Sequence, residues 1–389
     1  MHSIVILGGN FAGVSTAQYL LKHVLPVVKN EESQYKVTLV SPSAQTFFKV
    51  AVPRVLVSDK VPNDKLFASI PNAFRQYNSD DFTFIQGEAV GLDETAKTVS
   101  IKSVGAADRL IGYHSLVIAT GTTSPSAVWT LHGDHEITLA AFQDLQARLP
   151  TSKTILIAGG GPTGVETAGE IASQHKDKEV TLLSGGTRLL PRLRNKKIAP
   201  RAEQQLAALN VRTLHGVRVT SSTMSADKVS LVLSDGTTRT VDLYIDTTGS
   251  TPNTSFLPPS WLDGSKHVAV DGATLRATNA PDGVYAIGDV ASYSNGGIPD
   301  AVWSVPALGY SIWSDLRVAA TRDGSMKGAA PLLKENKYKQ IEEDMSIVPI
   351  GPSGGVGALF GWAVPSWFVW LLKSRTFMMD SAPKVATGY

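Results

Sequence analysis

The sequence predicts an α/β protein in which one strand–turn–helix plan is used twice. Three observations carry this. Residues 4–13 read IVILGGNFAG. Residues 155–166 read ILIAGGGPTGVE. Each is an apolar run of the kind that suits a parallel strand buried on both faces, followed by glycines and a helix-like stretch. Beyond each turn the order of elements then repeats: strand, helix, strand, a small antiparallel meander, and a strand ending in glycine, as in YHSLVIATG (113–121) and DLYIDTTG (242–249). Such internal duplication is architectural, not merely local.

Taken in order, the first strand ends at Gly8 and Gly9, where a tight turn needs positive φ and close backbone approach. Asn10 stands where a middle glycine is usual, Phe11 and Ala12 follow, and Gly13 closes the turn. A helix is predicted over 12–24, a strand over 36–41, a core helix within TFFKVAVPR (46–54), and paired strands within 82–103 that include Ala89 and Val90, both candidate cofactor contacts. The strand of 113–121 ends at Ala119, Thr120 and Gly121.

The second copy has Gly159, Gly161 and Gly164 in a full G-x-G-x-x-G, with Pro162 and Thr163 opening its helix at 163–174. Strands are predicted at 154–158, 179–184, 211–220, 228–233, 237–240 and 242–249, the last ending at Gly249, with a helix at 196–209. GVYAIGDV (283–290) is a strand ending at Gly288 and Asp289. Residues 301–320 are helix-like, 321–335 read as a connection, and 336–389 form a terminal module. A glycine turn that presents a helix N-terminus is suited to a pyrophosphate. The fold class is therefore two Rossmann-type dinucleotide-binding domains plus a short C-terminal module.

Composition narrows the function. Charged residues make up 18% and apolar ones 43%, with net charge +2, which is ordinary for a globular chain. No basic run carries interleaved aromatics, so nucleic acid is not expected as a partner. The cysteine count is zero, which excludes disulfides, thiolate metal sites, cysteine nucleophiles and redox dithiols. The histidines are scattered and no metal site is expected. Met1-His2-Ser3 runs straight into the first strand with no leader, so a cytoplasmic protein is expected, not a secreted one.

With GGNFAG (8–13), ATG (119–121), GGGPTGVE (159–166) and AIGD (286–289) in this order, the chain resembles the two-dinucleotide-binding flavoproteins, which include the pyridine nucleotide-disulfide oxidoreductases. AVPR (51–54), GVETAGEI (164–171) and GVGALFGW…LLKSRTF (355–377) bring it nearest to the AMID-like, ferroptosis-suppressor-type NAD(P)H:quinone oxidoreductases. The resemblance implies a glutathione-reductase-like arrangement. Residues 1–125 and 250–325 would form the FAD domain, 126–249 an inserted NAD(P)H domain, and 326–389 a module capping the flavin cleft. It further implies that the first turn holds FAD, that Asp289 bonds its ribityl–pyrophosphate region, and that the second turn holds NADH or NADPH.

Two departures stand out. Asn10 brings a Cβ beside the FAD pyrophosphate, and Ser41 replaces the acidic residue that usually holds the adenosine ribose. Since 46–54 carries no cysteine, electrons would pass from the flavin directly to a small acceptor, a quinone or O₂. The resemblance places Arg54 near the flavin, paired with Glu166 as the catalytic couple; Glu170, one turn on, is expected to be solvated. The helix beginning near Val302 would face the flavin, with Trp303 and Trp362 as candidates to cover the ring. Ser184, where an acid would select NADH, is followed by Arg188, so NADPH is admitted.

The uncharged stretch 356–372 is just short of a bilayer span and contains Gly361 and Pro365. It is expected to roof the flavin cleft, with peripheral contact to an organelle or lipid surface open to it. A tailoring oxidoreductase of specialised metabolism and a low-turnover flavoprotein with a signalling or scaffold role are the alternative functions. Oligomeric state is not legible in the sequence.

Overall fold

A computed structural model describes residues 1–28, 34–58, 61–225, 227–322 and 333–388. The first sheet is built around β1 (His2–Leu7), which is followed by the glycine turn and α1 (Phe11–Tyr19) and paired in parallel with β2 (Tyr35–Ser41). Ile4, Val5, Ile6 and Leu7 are no more than 1% exposed, which is why the run is apolar without alternation. The sheet order is Val284–Ala286, Ser115–Ile118, β1, β2, Phe82–Asp93, Thr98–Ser103, Arg109–Gly112. The first four pairings are parallel, and the last two strands add an antiparallel meander.

The helix expected at 12–24 extends to Val28. Its α turn gives way to a π turn at Leu20–Val24 before a final turn at Leu25–Val28. Pro26 lies in that last turn and has no N–H for the carbonyl of Lys22; a π turn immediately before it absorbs the mismatch. The stretch 46–54 is less helical than expected. It starts as the short strand Gln45–Phe47, passes through a 3-10 turn at Lys49–Ala51, and only then forms α2 (Val52–Val57), with Pro53 in its first turn.

A second parallel sheet has the order Arg212–His215, β4 (Glu179–Ser184), β3 (Thr154–Ala158), Leu243–Asp246, with α3 (Pro162–Gln174) between β3 and β4. Beside it lies the antiparallel meander Val219–Ser225, Lys228–Leu233, Thr238–Val241. The chain passes between the two sheets through paired segments, Thr122–Thr123 against Thr251–Pro252. Asn253 clips them together by donating to the Thr120 carbonyl and accepting from the Thr123 hydroxyl, both at 2.8 Å.

After Val284–Ala286 come α4 (Ile298–Val302) and α5 (Val305–Arg322). The connection expected at 321–335 falls largely outside the described residues. The terminal module is a three-stranded antiparallel sheet, Ser346–Pro349, Gly355–Leu359 and Trp362–Ala363, followed by α6 (Ser366–Val369) and a π turn at Trp370–Ser374. Its last helix, Ala382–Thr387, packs against α1.

Candidate active site

The two glycine turns are conformational copies. Gly8 has φ +116° and Gly159 has φ +122°. A Cβ on Gly13 would lie 1.8 Å from the Gly8 carbonyl oxygen, and one on Gly164 would lie 1.9 Å from that of Gly159. In each copy the last glycine lets the helix close onto the strand end. Gly13 thus shapes the turn from behind and does not line the cavity in front of it.

In front of the first turn lies a cavity of about 1510 Å³. It is lined by Gly8, Gly9, Asn10, Phe11, Ala12, Ser41, Ala89, Ala119, Thr120, Gly121, Gly288, Asp289, Val302 and Trp303, all expected from sequence to serve a cofactor. Its size exceeds the roughly 300–1,000 Å³ of a drug-sized pocket and suits a dinucleotide. Gly121 has open space where a side chain would begin, which fits a backbone that must let a ligand approach. Val90 and Gly249 stand apart from this lining. Val90 is 51% exposed, because strand alternation turns it away from the side that Ala89 faces. Gly249 lies exposed beyond its strand end.

Asn10 is accommodated by turning its side chain out of the turn. Its amide donates to the Phe47 carbonyl and accepts from the Phe47 N–H, both at 3.2 Å, tying the glycine turn to Gln45–Phe47. Ser41 is 3% exposed and accepts from Ser43 N–H at 3.3 Å. Lys49, unremarked in the sequence, also lines the cavity and reaches Asp289 at 3.3 Å. This lysine adds a positive charge to the wall where a pyrophosphate would lie.

Gly159, Gly161, Pro162 and Thr163 form the second turn, outside that cavity, with nothing within 4 Å of a Cβ placed on Gly161. Ser184 is 2% exposed and donates to the Arg188 carbonyl at 2.9 Å. One Nη of Arg188 is turned into its own loop, donating to the carbonyls of Pro191 and Leu193 at 2.9 and 2.7 Å. The cation beside the end of β4 is instead Arg218. Its Nε would stand 2.5 Å from a Cβ on Gly185, so only glycine there lets it lie so close.

The expected Arg54–Glu166 couple is not formed. Arg54 donates from Nε and an Nη to the two carboxylate oxygens of Glu170 at 2.5 and 2.9 Å. Glu170 is fully buried, not solvated, because α2 packs on the turn of α3 that carries it. Burial pushes its carboxyl above the ordinary range, and the Arg54 hydrogen bonds pull the other way. Arg54 does not line the cavity.

Glu166 is paired with a residue of the tail. Lys373 Nζ donates to Glu166 Oε1 at 2.6 Å, and the side chains are only 13% and 5% exposed. Burial pushes the Glu166 carboxyl up, and Lys373 opposes the shift. Lys373 itself lines the cavity, so the pair joins it to the helix behind the second glycine turn. The buried Phe377 ring lies between the two cations, 4.7 Å from Arg54 Cζ and 5.6 Å from Lys373 Nζ. Lys373 was visible in the sequence only as part of the distinctive Lys-Ser-Arg of the tail.

The tail covers less of the cavity than expected. Of 356–372 only Leu359 lines it, and Trp362 is 81% exposed. The stretch is a hairpin and a short helix, not a continuous roof, so its large side chains point outward.

A family model described as pyridine nucleotide-disulphide oxidoreductase matches residues 2–308. Oxidoreductase phnG of Penicillium herquei is 36% identical, the match covering 99% of this chain and 96% of that one. Ferroptosis suppressor protein 1 of Xenopus tropicalis is 27% identical over 98% of this chain and 95% of its own. Among solved structures, the water-forming NADH oxidase of Lactobacillus brevis bound to NADH matches with a TM-score of 0.65 at 20% identity, over 80% of this chain and 69% of that one. The duplicated glycine turns, the cavity and these likenesses agree: the chain belongs to the pyridine nucleotide-disulphide oxidoreductase family and is an FAD-dependent NAD(P)H oxidoreductase.

Proposed function

We propose that the protein reduces a small apolar acceptor of the quinone type with NAD(P)H. FAD would occupy the large cavity on the first glycine turn, within residues 1–125 and 250–325. NAD(P)H would sit on the second turn, within 126–249. FAD supplies the relay, taking hydride from NAD(P)H and giving two electrons to the acceptor. The sum is NAD(P)H + H⁺ + quinone → NAD(P)⁺ + quinol. With no cysteine in the chain, no internal disulfide can intercept the electrons.

The observation that carries this reading is the position of Lys373 on the cavity wall with Glu166 behind it. A quinone needs a proton as well as electrons, and an ammonium at the cavity wall can donate one. Glu166 orients that ammonium and neutralises it at low solvent exposure. Arg54 and Glu170 hold α2 against α3 and take no part in the transfer. The sequence resemblance to ferroptosis-suppressor-type NAD(P)H:quinone oxidoreductases supports the acceptor class.

The test is anaerobic reduction of the bound flavin by NADPH and by NADH, followed by mixing with quinones or with O₂. Reduction by both donors and faster reoxidation by quinones than by O₂ is expected. A reduced flavin that no quinone reoxidises would remove the proposal.

A further inference from the structure

Large apolar side chains on most of the described surface are exposed singly, which is ordinary. The tail differs. Phe360, Trp362, Trp367, Trp370, Leu371 and Leu372 are 39–81% exposed along one hairpin tip and the helix that follows. Beside this tip runs a basic loop. Arg192, Arg194, Lys196 and Lys197 are exposed, and Asn195 between them donates to the Gly361 carbonyl at 2.9 Å. The buried Asp344 carboxylate holds the same loop by accepting from the N–H groups of Arg194 and Asn195 at 2.9 and 2.7 Å. Arg375 stacks over Trp370, 5.8 Å from its ring centre. Glu343 beside Gly361, its exposed neighbour Glu342 and the buried Asp344 are set against the five cations Arg192, Arg194, Lys196, Lys197 and Arg375.

We propose that this face docks peripherally on a bilayer that carries anionic lipid. Tryptophans flanked by lysine and arginine suit the membrane interface, where the rings sit at headgroup depth and the cations meet phosphates. Tryptophan and arginine serve protein interfaces as well, but the adjacent exposed Lys196 and Lys197 are of the type depleted there and suit anionic headgroups. No helix among the described residues is long and apolar enough to cross a membrane, so the attachment is superficial. Leu359 and Lys373 line the cavity, and their chain neighbours Phe360 and Leu372 lie on the exposed face. Docking therefore brings the cavity wall next to lipid, where an apolar acceptor is stored; this last step rests on the proposed function.

The full-length holoprotein is mixed with phosphatidylcholine vesicles, with and without phosphatidylserine, and co-sedimentation and tryptophan emission are measured. Wild type should bind, more tightly when phosphatidylserine is present, with a blue shift in emission. The triple variant Trp362→Ser, Trp367→Ser, Leu371→Ser should lose binding to both vesicles. The variant Arg194→Gln, Lys196→Gln, Lys197→Gln should lose at least about tenfold of the preference for anionic vesicles. Both should keep their flavin and their turnover of a water-soluble quinone without vesicles, which reads the reaction separately from the docking. Wild type that binds neither vesicle, or an apolar variant that binds like wild type, would overturn the proposal. So would a wild-type dimer, broken by the apolar variant, in a protein that ignores vesicles, since that result assigns the face to a second copy.

Discussion

Lys373 Nζ lies 2.6 Å from Glu166 Oε1, across a separation of 207 residues. The two side chains are almost excluded from solvent, so neither charge would be tolerated there alone. The contact fastens the tail to α3 and sets an ammonium on the cavity wall. Of two glutamates one helical turn apart, Glu166 holds the lysine on the cavity wall and Glu170 holds Arg54 of α2.

Breaking the second of these pairs should cost stability more than chemistry. Glu170→Gln leaves the Arg54 guanidinium buried without its carboxylate, which typically destabilises by about 3–5 kcal/mol. Chemical denaturation should show that loss. In the folded fraction, flavin reduction and reoxidation rates should stay within about threefold of wild type. Unchanged stability with collapsed turnover would instead restore Arg54 to the catalytic couple.

Asp289 and Lys49 face each other at the cavity wall at 3.3 Å. If that wall holds the FAD ribityl–pyrophosphate region, Asp289→Ala should lose charge-assisted hydrogen bonds worth roughly 1.5–3 kcal/mol each. The purified variant should carry much less flavin, read from its visible absorbance against its protein content. Full flavin content would place Asp289 outside the cofactor contacts.

The nucleotide preference should follow Arg218. Arg218→Ala should raise the NADPH KM by about 10–100-fold, from roughly 1.5–3 kcal/mol of lost charge-assisted bonding, and barely move that for NADH. Arg188→Ala should affect both nucleotides alike and weakly, because one Nη of Arg188 is turned into its own loop onto the Pro191 and Leu193 carbonyls. A selective NADPH defect in the Arg188 variant would reverse the assignment.

Asp242 gives the second sheet an acid-sensitive clasp. Its carboxylate accepts from Lys153 N–H, Thr154 N–H, the Thr154 hydroxyl and Lys228 Nζ at 2.8–3.0 Å. The Thr154 backbone bond, then Lys228, hold its pKa well below the ordinary 3.8. The ionised form therefore adds its full stability above that ordinary value, and the contribution is lost as pH falls through the depressed one. Asp242→Asn should lower stability at pH 7 by about 1–2 kcal/mol after allowance for screening, and the difference should shrink on acidification. Urea titrations at neutral and acid pH would show it; an equal deficit at both would refute the linkage.

The fold was legible because strand burial and turn geometry are local. The runs at Ile4–Leu7 and Ile155–Ala158 and the glycines after them specify β1, β3 and their turns with no knowledge of the remainder. The site was only half legible. Helical spacing places Glu166 and Glu170 on one face of α3, but which of them meets Arg54 depends on the packing of α2. Lys373 reaches Glu166 from the far end of the chain, and Arg218 reaches Gly185 from beyond the next strand. Neither placement leaves a local pattern. Arg188 shows the opposite: it is near in sequence to the end of β4, but one of its Nη groups is held by its own loop.

In the proposed reaction Lys373 supplies the proton when the acceptor is reduced. Stopped flow under anaerobic conditions separates the two half-reactions of Lys373→Met and reads that role alone. Flavin reduction by NADPH should remain within about threefold of wild type, and reoxidation by a soluble quinone should slow by about 10²–10⁴, the span of general acid catalysis. Reoxidation at the wild-type rate would remove Lys373 from proton delivery and leave the Lys373–Glu166 pair as a fastening for the tail.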